Sequence, residues 1–452
     1  MRSALRRAVI AAGVATTATA VLATVSGGAS AAPPEAAVDH GGVTVEIPGP
    51  EHGNVAGSGH TEVPAAGRNK PSGQLSSAEA AQDGELGKLV NTGRTKDRLD
   101  VVIIGDGYTA AQQAKFHADA KAKWAEVAAV EPYTTYRNLF NVWTVDAVSK
   151  QSGVTGDPEK GVVRNTALGS YFWCDDIERL LCIDQTKVDK YVAKAPDADL
   201  VIVLANSTKY GGAGYNQRSA KYGYEGISTA SAGNEQSGQV AIHETGHSLG
   251  KLADEYFYPG YPGYEKYDGP EVDDVNVSVL TARKLAEQRT KWYRWLGETS
   301  PDGGKVGAYE GGGYYVKGLY RPTDSSMMRV LDKPFNLPGV EAMIAGFHRH
   351  ANPVTPLTPT DATLRPGKTV KISVPRLTGK DGRQFTIRWY LDGKELRSLR
   401  GKTKVAVADL AGRLADGKTH KLGVAVEDRT PSVRDPKITA QLKSKVRWNV
   451  HR

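Results

Sequence analysis

VAIHETGHSLGKLADEY, residues 240–256, places His243 and His247 four positions apart. On an α-helix that spacing puts both rings on one face, where they can share one metal ion. Glu244 follows the first histidine directly and can face a water on that ion. Two neutral imidazoles with a carboxylate or a third imidazole suit Zn²⁺ and leave one position open for the water. The ion brings the pKa of that water to about 7, and Glu244 is the candidate general base that takes its proton and passes it to a leaving amine. An HExxH match also arises by chance on exposed helices. Here histidine is scarce, 10 in 452 residues. Val240, Ile242 and Leu249 mark the segment as partly buried, and Gly250 and Asp254 add a turn and a carboxylate.

The third ligand is sought downstream. Metzincin-type sites place it six residues after the second histidine, in HExxHxxGxxH. Gly250 is in register, but the ligand position is Ala253. Asp254, one residue later, is the expected ligand, returned to the metal by a break in the helix at Gly250. Glu255 is the alternative, with Asp268 and Glu271 further behind. Asp254 could instead orient a ligand histidine from behind. Met327 and Met328, half of the 4 methionines in the chain, are candidates for the methionine that metzincin-like sites hold in a turn beneath the metal. Tyr256, Tyr309, Tyr314, Tyr315 and Tyr320 lie near these segments. One could donate to an oxyanion, although packing is the simpler role for each. Gly311-Gly312-Gly313 lacks the GK[ST] of a phosphate loop, and no G-x-S-x-G elbow supports a serine hydrolase.

Outward from the motif, the pattern is α/β. RLDVVIIG ends in a buried strand, Leu99 to Ile104. Thr109 caps a helix over 110–129 with Phe116, Ala120, Trp124 and Val127 on one side. Strands are expected at 138–147 and 200–205, a helix at 186–194, a Gly-rich turn at 209–214 and an edge strand at 227–230. Helices follow at 280–295 and 340–350. Beyond the prolines at 353, 356 and 359, five short alternating strands (369–374, 384–391, 404–408, 420–426, 444–450) suggest an all-β, immunoglobulin-like sandwich with Trp389 in its core. Residues 32–85, rich in Gly, Pro, Ala and Ser, are expected to be a linker or propeptide.

The length allows about two or three domains, and the 40% hydrophobic content excludes a wholly disordered chain. Arg2, Arg6 and Arg7, an apolar stretch from Ala8 to Val25 and Ala29-Ser30-Ala31 form a cleavable export signal over 1–31. No later segment is apolar enough to span a bilayer. Cys174 and Cys182, the only cysteines, are expected to pair in an exported chain. Residues 353–452 hold 22 Lys and Arg against 9 Asp and Glu, a net +13 that leaves the rest at −5. Such a tail suits anionic polymers or simple solvation.

Four stretches together resemble the M64 family of metallopeptidases, the IgA-peptidase-like zincins: RLDVVIIGDGYT (98–109), LVIVLANSTKYGGAG (200–214), HETGHSLGKLADEY (243–256) and GAYEGGGYYVKGLYRPTDSSMMR (307–329). The resemblance implies a zinc-dependent endopeptidase with His243, His247 and Asp254 as ligands and Glu244 as general base. It does not imply IgA as the substrate, and the basic tail lies outside it. The expected architecture is an α/β (α+β), metzincin-like zincin domain over 86–352, followed by the sandwich over 355–452. The expected protein is a secreted, extracellular monomer acting on protein or peptide substrates. No specific nucleic-acid partner and no membrane association after signal cleavage are expected, and the C-terminal domain could contact anionic polymers. The competing expectations are a catalytically inactive zincin-fold adhesion protein and a metal-dependent hydrolase of esters or cell-wall amides.

Overall fold

A computed structural model describes residues 42–50, 57–65 and 74–452. The export signal expected over 1–31 lies outside them. In chain order the first part comprises β1 (Gly42–Pro48), β2 (Gly57–Pro64), α1 (Ser77–Ala80), β3 (Leu86–Val90), β4 (Leu99–Asp106), α2 (Gln113–Ala128), α3 (Tyr133–Tyr136) and β5 (Phe140–Val145). It continues with α4 (Gln185–Val192), β6 (Leu200–Ala205), β7 (Gly212–Tyr215), β8 (Ile227–Ser231) and α5 (Ser237–Ser248). The strands form one sheet in the order β2-β1-β7-β8-β6-β4-β5-β3. Neighbours among β8, β6, β4 and β5 are parallel, while β7 and β3 pair antiparallel to them.

A strand buried on both faces reads as an unbroken apolar run, and β4 and β6 do so. Leu99, Val101 and Ile103 of β4 enter one core with Phe116, Trp124 and Val127 of α2 and Val240 and Ile242 of α5. Val102 and Ile104 enter the opposite core, with Val188 and Val192 of α4. Cys174 and Cys182 are disulfide-bonded within that second layer. Thr109 and Gln112 form a capping box ahead of a 3₁₀ turn that leads into α2.

Two expectations need correction. The Gly-rich 209–214 stretch is not simply a turn, because Gly212–Tyr215 is a strand. The strand beginning at Ile227 is interior, between β6 and β7, because β7, β1 and β2 extend the sheet beyond it. Two pieces of 32–85, expected to be linker or propeptide, form the paired strands β1 and β2. In β1 the alternation Val43-Thr44-Val45-Glu46-Ile47 sends Val45 and Ile47 into the α4-side core and Glu46 to the opposite face, where α5 lies.

After α5 come α6 (Ala282–Gln288), the hairpin β9 (Tyr309–Gly312) and β10 (Tyr315–Arg321), and α7 (Leu337–His350). The C-terminal part contains β11 (Thr355–Pro356), β12 (Thr363–Leu364), β13 (Thr369–Ser373), β14 (Thr386–Leu391), β15 (Lys394–Glu395), β16 (Lys404–Ala406), β17 (His420–Glu427), α8 (Pro436–Gln441) and β18 (Lys443–Val450). They form two sheets, β11-β13-β16 and β12-β18-β17-β14-β15. Trp389 and Trp448 stack in its core with ring centroids 5.9 Å apart. No helix among the described residues is long and apolar enough to cross a membrane.

Candidate metal centre

Helix α5 runs from the inner edge of β8 through the first core and carries His243, Glu244 and His247 on buried turns. Backbone carbonyls fix both rings. His243 Nδ1 lies 3.1 Å from the Met327 carbonyl and His247 Nδ1 lies 2.6 Å from that of Leu252. A carbonyl only accepts, so both Nδ1 atoms carry hydrogen and both Nε2 atoms are turned to the centre. Those two Nε2 atoms are 3.1 Å apart.

The helix end delivers the carboxylate. Leu249 caps α5, and the chain reverses through Gly250 and Lys251, the latter at φ +53°. A Cβ on Gly250 would stand 2.6 Å from the carbonyl oxygen of Gly246, so only glycine fits without displacement there. Asp254 returns with Oδ1 3.2 Å from both Nε2 atoms. Its Oδ2 accepts from Tyr314 Oη at 2.5 Å. Tyr314 sits at φ +74° after three glycines in the β9–β10 turn, a backbone state that a non-glycine residue adopts only when its surroundings impose it.

The structure separates Asp254 from its sequence rivals. The Glu255 carboxylate turns away and is satisfied by Asn276, Ser326 and Asn336. Asp268 pairs with Lys266, and Glu271 accepts from Ser278. Of the methionines, Met327 supplies the carbonyl that holds His243, and the Met328 side chain packs against Gly246 of α5. Of the tyrosines, Tyr314 holds Asp254, while Tyr256 Oη donates to Glu46 at 3.0 Å. Tyr309 bonds the Lys305 carbonyl, and Tyr315 packs on Tyr264 and Tyr267.

Glu46 is the residue that motif reading missed. It is fully buried, with Oε1 3.0 Å from His243 Nε2 and Oε2 2.9 Å from His247 Nε2. One ligand atom each from Glu46, His243, His247 and Asp254 lies within 4.8 Å of the others. Asn216, also missed, donates to Glu244 Oε2 at 3.0 Å. The Glu244 carboxylate lies directly over Gly214, where any Cβ would overlap it.

The donor atoms and their charges suit a cation. Burial opposes ionisation of Glu46 and Asp254, yet the two imidazoles override it and hold both carboxyls below the ordinary range. Burial likewise opposes charge on His243, but Glu46 and Asp254 outweigh it and raise the imidazole to about 10. Glu244 is pushed up to about 8 by burial and by the neighbouring Glu46 charge. Glu46 Oε2, Glu244 Oε1 and Asp254 Oδ1 are buried without a hydrogen-bond partner. Two protonated rings with Nε2 atoms 3.1 Å apart would repel each other. One divalent ion would satisfy both nitrogens and the orphaned oxygens together, so the donor set fits such an ion.

The family model described as IgA Peptidase M64 matches residues 88–304 and 301–347, more than half of the chain. No curated protein matches the chain.

Proposed function

The chain belongs to the IgA peptidase M64 family, and on that premise we propose that it is a secreted, zinc-dependent endopeptidase with His243, His247 and Asp254 as ligands. The observation that carries this reading is the convergence of two imidazole nitrogens and one carboxylate oxygen beside Glu244, on a single buried helix and the turn that ends it. When bound, zinc supplies a Lewis acid and lowers the pKa of a coordinated water. The protein's own groups do the rest. Glu244, steadied by Asn216, receives a proton at its free Oε1 and returns it to the leaving amine. Tyr256 Oη, already aimed into the centre, is the best-placed tyrosine to donate to a developing oxyanion. Residues 86–352 act as a metzincin-like peptidase unit and 355–452 as an immunoglobulin-like sandwich. The export signal and the disulfide favour an extracellular site of action.

Hydrolysis of casein, with and without a chelator and in Glu244→Ala, tests the reading. We expect activity to vanish with the chelator, and to fall about 10²–10⁴-fold in the variant. Full activity in either condition would refute it. An adhesion protein with an inert centre would instead retain zinc yet cleave nothing in a broad peptide library.

One observation favours a polymer contact by the C-terminal domain. On one face of its larger sheet, Gly423 and Ala425 of β17 floor a trough between Tyr390 and Arg388 of β14 and Arg447 and Lys445 of β18. With Lys421 and Lys443 at its margins, against the single carboxylate of Asp392, the trough suits an anionic polymer. Retention of the full chain on cell-wall polymer at low salt, lost in Lys445→Glu/Arg447→Glu, is expected. Equal retention of the variant would exclude this surface.

A further inference from the structure

Glu46 has no role in the proposed reaction, yet it stands in the middle of the centre. It comes from β1, outside the residues 88–347 that the family shares. A hydrolytic site of two imidazoles and one carboxylate needs an open position for water. The Glu46 carboxylate spans both Nε2 atoms and takes the Tyr256 hydroxyl as well. The strand that carries it is placed with equal economy. β1 lies antiparallel on β7, with Glu46 opposite Gly214, the same glycine that the Glu244 carboxylate covers. The other edge of β7 is taken by β8. Without β1, β7 would therefore offer a free sheet edge beside the reacting groups, the arrangement to which an extended peptide adds as a strand. β1 thus holds both the backbone ladder and the chemical centre that a substrate would need.

β1 and β2 are the last two strands at one end of the sheet order, and β1–β7 is matched through the single Glu46–Gly214 register pair. The hairpin's other ties are apolar as well as polar: Val45, Ile47 and Val63 enter the α4-side core, Arg179 Nε donates to the Pro48 carbonyl at 2.6 Å, and His60 Nδ1 lies 2.8 Å from Tyr314 Oη.

We propose that the β1–β2 hairpin is a built-in inhibitor: Glu46 closes the metal centre as a fourth ligand, β1 blocks the peptide-binding edge of β7, and the peptidase is held at a low basal activity until the hairpin is withdrawn. This rests on the zinc-peptidase reading above.

The test uses the full chain loaded with cobalt(II) in three forms. These are the unaltered chain, Glu46→Ala, and a chain with intact Glu46 but a site-specific protease sequence inserted after Gly73, cut and then dialysed. Visible absorption is read with and without acetohydroxamate, and casein hydrolysis is read on the zinc-loaded forms. The unaltered chain is expected to ignore the hydroxamate. Glu46→Ala, which frees the metal position but leaves β1 on β7, is expected to shift spectrum on adding it with little gain in casein hydrolysis. The cut chain is expected to shift spectrum and to hydrolyse casein about tenfold faster or more, in proportion to the fraction of open centre. Cobalt that responds to hydroxamate in the unaltered chain, with equal hydrolysis in all three forms, would overturn the inhibitor and leave the peptidase intact. Cobalt taken up by none of the forms would remove the peptidase reading and the inhibitor with it. If Glu46→Ala does not fold, the cut chain decides the matter alone.

Discussion

Asp254 has no freedom in this centre, because Tyr314 fixes one of its oxygens at 2.5 Å and leaves the other for the imidazoles. Tyr314→Phe removes that tether and keeps the ring packed. We expect it to weaken zinc binding by about 10–100-fold, as loss of a partner behind a ligand does, measured by competition with a fluorescent chelator. Unchanged affinity would mean that the helix turn alone positions Asp254. His243, Glu244 and His247 are legible in the sequence because helix periodicity alone joins them. Asp254 is legible only to a reader who expects the chain to reverse at Gly250. Glu46 is not legible at all, since pairing of β1 with β7 brings it to a histidine 197 positions away. The one local trace is the alternation of Val43 to Ile47, too short to stand out within a Gly- and Pro-rich span.

At the scale of elements, the centre depends on how α5 ends. Gly246 leaves room for Met328 beneath the helix, and Gly250 lies against the Gly246 carbonyl. Lys251 then takes the left-handed conformation that lets the Leu252 carbonyl meet His247. Gly250→Ala forces a Cβ onto a backbone oxygen that cannot swing aside. The expected destabilisation is about 1–3 kcal/mol, the usual range for overpacking, read as a lower urea midpoint, with weaker zinc binding in the folded protein. A midpoint equal to that of the unaltered chain would show that the turn tolerates a side chain. The same close packing explains why β7 is hidden in the sequence. Its glycines look like a turn, but Gly212 lies against the Thr229 carbonyl and Gly214 against Glu244, so their small size serves packing within a sheet. Runs such as β4 and β6 need no such context, because burial on both faces leaves only apolar residues in them.

At the scale of the whole molecule, the C-terminal part is not a loose appendage. Asp428, just after β17, accepts from Tyr136 of α3, from Arg383 at 3.2 Å and from the Thr430 amide at 3.0 Å. The Glu341 carboxylate of α7 receives Trp295 Nε1 at 2.6 Å and the Arg434 amide, and the Arg434 guanidinium covers the Trp295 ring. Asp428→Ala leaves the buried Tyr136 phenol without its acceptor and removes one of the two carboxylates that hold Arg383. It should destabilise the protein by about 3 kcal/mol, seen as a lower melting temperature, with zinc affinity unchanged. A melting temperature that does not move would mean that this contact adds nothing to stability. Nothing in the sequence announces these contacts, because they join residues up to 292 positions apart. The most direct single measurement is anomalous diffraction at the zinc edge from crystals of the zinc-loaded full chain. We expect one ion at about 2.0–2.2 Å from His243 Nε2, His247 Nε2 and an Asp254 oxygen. An ion bound elsewhere, or none while these side chains keep their places, would contradict the metal centre on which everything else is built.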